Sequence, residues 1–178
     1  MSLRSAVCRA GVAECLRLQD GRGVKIRPIL PADLDALRAF FAALTPATRR
    51  LRFHVQVQEV SADLLVRFSL VDQSSHVALV AEPCGPAPQG LIAEARYIRG
   101  PPAECAELAL VVAEPGRQVG RGSALTRALL RSARASGVRR LCGDALAENV
   151  AILRLLRSFG ARRVPIPDRE IVRLCVQT

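Results

Sequence analysis

The stretch EPGRQVGRGSAL, residues Glu114 to Leu125, sets three glycines and two arginines between an apolar run and a segment of helical periodicity. A strand, a tight turn and a helix in that order bring several backbone N–H groups and the positive end of a helix dipole to one point, which suits a pyrophosphate. Glycine belongs there because a side chain would hold a phosphate away from the backbone. Two familiar phosphate-binding turns fit poorly. A P-loop ends in Gly-Lys-Ser/Thr, and Arg121-Gly122-Ser123 has no lysine in that place. The dinucleotide fingerprint Gly-x-Gly-x-x-Gly is met at Gly120 and Gly122, but Leu125 stands at the third glycine. Asp144 mimics the ribose-binding acid of that motif, yet residues 145 to 178 are too few to complete a parallel doubly wound sheet. An ordinary strand-to-helix turn, with glycines for steric reasons, stays open beside these.

The elements that must position this turn can be read from periodicity. CLRLQDGRGVKIRPIL alternates on both sides of Asp20-Gly21 and predicts a hairpin ended by Pro28 and Pro31. Leu34, Leu37, Phe40, Phe41 and Leu44 fall at helical spacing, with Asp33 near the helix start, where a carboxylate favours the dipole. TPATRRLRF predicts a helical turn or two, and residues 61 to 71 a further helix capped by Ser61. HVALVAEP, LIAEARYIRG and CAELALVVA predict three strands, the joining loops rich in Gly and Pro making antiparallel connections. After the glycine turn comes a helix with Leu125, Ala128, Leu129 and Ala133 inside and Arg127, Arg131 and Arg134 outside, stopped at Gly137. RRLCGDAL then predicts a strand, NVAILRLLRSF a helix from Asn149 to Gly160, and the tail two strands near Arg162 to Ile166 and Glu170 to Gln177.

Composition bounds the rest. The 178 residues, half of them hydrophobic, suffice for one core, and the expected organisation is a flexible N-terminus over 1–13 and a single domain over 14–178. Lysine and arginine number 26 against 16 acidic residues, and Lys25 is the single lysine. A net charge of +10 concentrates anions around the chain without specifying a fold. Five Phe, one Tyr and no Trp give little platform for stacked bases, so nucleic acid is not the expected partner. The six cysteines make no C-x-x-C pair and the two histidines have no zinc spacing. No metal is expected, and the cysteines read as reduced, mostly buried small hydrophobes of a cytoplasmic protein. No run approaches the length of a membrane span, and the first sixteen residues are too broken by Arg4, Arg9 and Glu14 for a signal peptide.

Arg117-Gln118-Val119-Gly120-Arg121-Gly122 matches the [QR]-x-x-G-x-[GA] signature of the GNAT acetyltransferases and falls, as in that family, between a strand and a helix. The downstream strand and the helix from Asn149 to Gly160 reproduce the spacing of the family's C-terminal half. LRLQDGRGVKIRPILPADLDAL, TPATRRLRF and AECAELALVV resemble the GNAT domains of bacterial protein-lysine acetyltransferases that regulate acyl-CoA synthetases. The resemblance spans roughly residues 15 to 165.

It implies an α/β (α+β) fold: one mixed, twisted sheet of about six to seven strands, its central pair splayed to admit acetyl-CoA, with about four flanking helices. By the same resemblance the backbone of Leu110, Val111 and Val112 would bind the pantetheine arm, and an N–H near Val111 or Val112 the oxyanion. Residues Arg117, Gln118, Val119, Gly120, Arg121, Gly122 and Ser123 would hold the diphosphate, with Asn149 also on the cofactor. Glu107 aligns with the glutamate that these domains use as base; burial near the apolar pocket would raise its pKa and make it a better acceptor, and an exposed strand glutamate is the plainer alternative. The tyrosine that usually protonates the departing thiolate has Leu156 in its place, and Tyr97 reads as a core or rim residue. The implied reaction is direct transfer from acetyl-CoA to a primary amine, of a protein lysine or a small molecule. Asp33, Asp35 and Asp63 are the acids expected near the acceptor. Readings from other classes are an acyl-CoA-binding sensor, which would tolerate loss of Glu107, and a nucleotide or RNA binder. The N-terminal hairpin and the apolar tail are candidate faces for a homodimer.

Overall fold

The computed structural model describes residues 13–18, 20–85, 90–114 and 120–178. Eight strands form one sheet in the order β1-β2-β3-β4-β5-β6-β8-β7. They are β1 (Glu14–Arg17), β2 (Gly23–Pro28), β3 (His76–Pro83), β4 (Ala93–Arg99), β5 (Cys105–Val112), β6 (Arg140–Leu146), β7 (Arg162–Val164) and β8 (Ile171–Gln177). Every neighbouring pair is antiparallel except β5 and β6, which run parallel. The helices are α1 (Leu34–Ala43), α2 (Pro46–Phe53), α3 (Ala62–Ser69), α4 (Arg121–Ala135) and α5 (Val150–Ser158). The described residues thus hold one strand more than the upper expectation and a fifth helix; α2 was legible as only a turn or two.

Local chemistry accounts for the boundaries. The β1–β2 turn closes with Gly21 at φ 81° and the Arg22 N–H donating to Asp20 Oδ1 at 3.1 Å, a conformation that glycine adopts without cost. Thr45 caps α2 by accepting from the Thr48 N–H at 3.2 Å, and Ser61 caps α3 by accepting from the Leu64 N–H at 3.3 Å. Asp33 does not cap α1 with its side chain: it chelates the Arg27 guanidinium at 2.7 and 2.8 Å and accepts from the Leu30 N–H at 2.7 Å, closing the 3-10 turn Pro31–Asp33. β7 stops at Val164 because Pro165 has no N–H for the ladder.

The period-two alternation of the central strands feeds two cores. Val77, Leu79, Ala95, Tyr97 and Leu108 pack with Leu125 and Leu129 of α4. The opposite residues Ala78, Val80 and Val111 pack with Leu37, Phe40 and Phe41 of α1 and Leu65 of α3. Tyr97 is fully buried in the α4 layer, a core residue remote in role from any leaving group.

The cysteines correct one expectation. Cys142 and Cys175, directly opposite on β6 and β8, form a disulfide, while Cys15 and Cys84 are exposed thiols and Cys105 is half-buried. Alternating strands put alternate residues on the open face of the sheet, so a cysteine inside an apolar run need not be buried. Cys8 and the rest of 1–12 lie outside the described residues. No described helix is long and apolar enough to cross a membrane.

Candidate active site

β5 and β6 are joined by only three rungs, Cys105 to Arg140, Ala106 to Leu141 and Glu107 to Cys142. Beyond Glu107 the strands part, although β5 stays paired with β4 through Val112 and β6 with β8 through Leu146. The opening is a cavity of about 230 Å³ whose walls include Leu108, Ala109 and Leu110 on one side and Gly143, Asp144 and Ala145 on the other. Gly143 marks the narrow end: a Cβ there would lie 3.1 Å from the Leu108 carbonyl oxygen.

Glu107 stands at the narrow end of this cleft, at the last rung. It is exposed, on the sheet face that α2 walls. Leu110 lines the cleft, and Val111 turns its side chain into the α1 core. At the wide end Gly120 precedes α4 at φ 91°, in the left-handed region. A Cβ on Gly122 would come within 3.1 Å of Leu155 in α5 and 3.7 Å of Val112, so the glycine turn abuts the end of β5. Ser123 is half-buried in the first turn of α4. Arg121 is buried rather than solvent-directed; burial first, then Arg22, holds its pKa below the usual arginine value, with Asp20 opposing. Arg117, Gln118 and Val119 lie outside the described residues. Asn149 lines the cleft and caps α5, its Oδ1 accepting from the Ile152 N–H at 3.3 Å.

No family model matches the chain. Acetyltransferase PA5475 of Pseudomonas aeruginosa is 31% identical over 157 residues, 87% of this chain and 84% of the relative. The acetyltransferase Pat of Mycolicibacterium smegmatis is 30% identical over 147 residues, of which the chain spans 43% of Pat's length. The GNAT domain of S. lividans PAT superposes with a TM-score of 0.86 at 26% identity, over 93% of this chain and 97% of that one. The chain belongs to the GNAT acetyltransferases.

For a GNAT enzyme the site departs from expectation in three respects. Leu156, at the position where the resemblance expects a tyrosine, is buried in the cleft wall and offers no proton. Asp33, Asp35 and Asp63 do not line the cleft: Asp33 is locked to Arg27, Asp35 pairs with Arg38 and Asp63 is exposed on α3. The acids actually present are Glu107 and Asp144, the latter held by Arg173 at 2.7 and 2.5 Å. Helix α2, which sequence reasoning left without a role, forms the cleft's third wall through Leu51, Arg52, Phe53 and His54. It is fastened there by Thr48 donating to Glu114 at 2.7 Å and by an Arg50–Glu148 ion pair.

Behind that wall Glu94, fully buried, and Arg96 form an ion pair at 2.5 Å, and Arg96 Nη1 lies 3.0 Å from His76 Nε2. Burial, then the Arg96 guanidinium, holds the His76 imidazole below its ordinary pKa of 6.5, with Glu94 and Asp72 opposing. A histidine whose folded pKa is depressed binds fewer protons than in the unfolded chain, so its contribution is complete above pH 6.5 and is lost as the pH falls below it. Asp33, Asp72 and Glu82 act lower: burial raises both aspartates but their hydrogen bonds prevail, keeping Asp33 below 3.8 and Asp72 at about 2, and the Arg27 hydrogen bond holds Glu82 below 4.5 against burial, so their contributions are lost below about pH 5. Thermal unfolding should therefore show a Tm declining between pH 6.5 and about 5, and His76→Gln should flatten that slope.

Proposed function

We propose that the protein transfers an acetyl group from acetyl-CoA directly to a primary amine, with a protein lysine as the acceptor class suggested by the resembling domains. The observation that carries this is the β5–β6 splay, with Glu107 at the last shared rung and Gly122 against Val112 at the far end of β5. The β5 edge from Leu110 to Val112, unmatched by β6, takes the pantetheine arm as an added strand, and the turn through Gly120, Gly122 and Ser123 takes the diphosphate. Arg117, Gln118 and Val119 complete that turn by sequence, and Asn149 borders the cofactor from the head of α5.

An amine attacks a thioester only as the free base, so a proton acceptor at the narrow end is required. Glu107 accepts the proton, the nitrogen attacks the carbonyl carbon, and a backbone N–H near Val111 steadies the oxyanion. The C–S bond then breaks. With Leu156 in the wall, solvent at the exposed end protonates the thiolate.

Thermal unfolding with acetyl-CoA, CoA and NADH tests the cofactor assignment. A ligand at about 100 times its Kd adds roughly 2.7 kcal/mol, a shift of several degrees. Acetyl-CoA and CoA should both raise Tm and NADH should not; no shift with either CoA species would overturn the proposal.

A further inference from the structure

The charges behind α2 do not balance. Glu94 Oε1 accepts from Arg96 Nε at 2.5 Å, while Glu94 Oε2 has no hydrogen-bond partner among the described residues. Arg96 further meets His76, the Phe68 carbonyl at 3.4 Å and the Phe68 ring at 3.7 Å. Arg52 is left over. Its side chain is only 10% exposed, its Nη2 is 3.8 Å from Glu94 Oε2, too long for a hydrogen bond, and its buried Nε has no acceptor among the described residues. Keeping a cation buried and incompletely paired costs stability. Burial pushes its pKa below the usual arginine value against the pull of Glu94, with Arg96 lowering it further and Glu107 raising it.

Arg52 lines the same cleft as Glu107. The cofactor's phosphates are not its partner, because the glycine turn abuts Val112, five residues along β5 from Glu107, or about 16 Å at about 3.3 Å per residue. A cation on the α2 wall and a carboxylate on β5, lining one cavity, present complementary charges to a molecule carrying both an amine and an acid. We infer that Arg52 binds a carboxylate of the acceptor while Glu107 engages its amine, so that the acceptor is an amine with a carboxylate close by. This rests on the proposed transfer to an amine at Glu107. The carboxylate has two sources, the α-carboxylate of a free amino acid or an acidic residue beside a lysine in a peptide, and the planar fork of arginine suits either.

The experiment compares matched acceptors with wild-type protein, Arg52→Gln and Arg52→Lys. One pair is a set of free L-amino acids against their carboxamides; the other is a lysine peptide with aspartate beside the lysine against the same peptide with asparagine. The wild type should favour the carboxylate member of one pair by about tenfold to a hundredfold in kcat/KM, as befits a hydrogen bond to a charged group. That pair names the source. Arg52→Gln should lose the preference and Arg52→Lys keep part of it. Equal use within both pairs, or a preference that survives in Arg52→Gln, overturns the inference, and the wild-type comparison stands even if a variant folds poorly. A second readout needs no turnover: binding of the N-acetylated members of each pair to the CoA-saturated protein, by calorimetry. If no amine is acetylated, the transferase proposal fails on its own, and this arm decides the role of Arg52. Tighter binding of the carboxylate product, abolished in Arg52→Gln, sustains that role, and no difference between products overturns it.

Discussion

Glu107→Gln is expected to lower turnover by about tenfold to a hundredfold while leaving acetyl-CoA affinity unchanged. General bases contribute about a hundredfold to ten-thousandfold in typical enzymes, and the low end applies here because Glu107 is exposed, so water can accept part of the proton load. The amide keeps the size of the side chain and the β5–β6 rung and removes one favourable charge near Arg52, so stability should fall only slightly. Steady-state acetylation beside calorimetric titration with acetyl-CoA separates the two effects. Wild-type turnover in the variant would remove Glu107 from the mechanism, and a parallel loss of cofactor binding would make it structural.

The second large effect is expected at the other end of the cleft. Gly120 sits at φ 91°, where a Cβ adds roughly 1–2 kcal/mol of strain, and its turn is assigned to the diphosphate. Gly120→Glu adds a negative charge to that strain and should weaken acetyl-CoA binding by more than about tenfold, equivalent to about 1.4 kcal/mol. Gly120→Ala carries the strain without the charge. If both variants lose Tm equally but only the glutamate loses affinity, the turn binds an anion. Unchanged affinity in Gly120→Glu would refute the assignment.

What was legible in the sequence was whatever depends on local spacing. The Asp20-Gly21 turn, the caps at Ser61 and Asn149, the two-faced alternation of the central strands and the glycine turn before α4 all follow from residues near one another in the chain. The arginines of TPATRRLRF show where that reasoning stops. Nothing in their spacing distinguishes them, yet each has a separate task. Arg49 donates to the Leu44 and Val57 carbonyls at 2.5 and 3.0 Å, Arg50 pairs with Glu148, and Arg52 is buried beside Glu94. Partners up to 98 residues distant decide those roles, and no periodicity encodes them. The Cys142–Cys175 bridge escaped for the same reason: 33 residues separate cysteines that only the β6–β8 register brings face to face.

The three rungs between β5 and β6 have a mechanical consequence. They act as the pivot of a pair of pliers whose jaws are the rest of the two strands. With a jaw of about 16 Å, a tilt of about 4° moves the far tip by about 1 Å and the pivot hardly at all. One jaw is riveted to β8 by the disulfide, and that rivet sits on the pivot's last rung. Compliance is therefore graded along the cleft: the end beside the glycine turn yields more readily than the end at Glu107, where, under the proposed mechanism, a displacement of about 1 Å would cost about a hundredfold in rate.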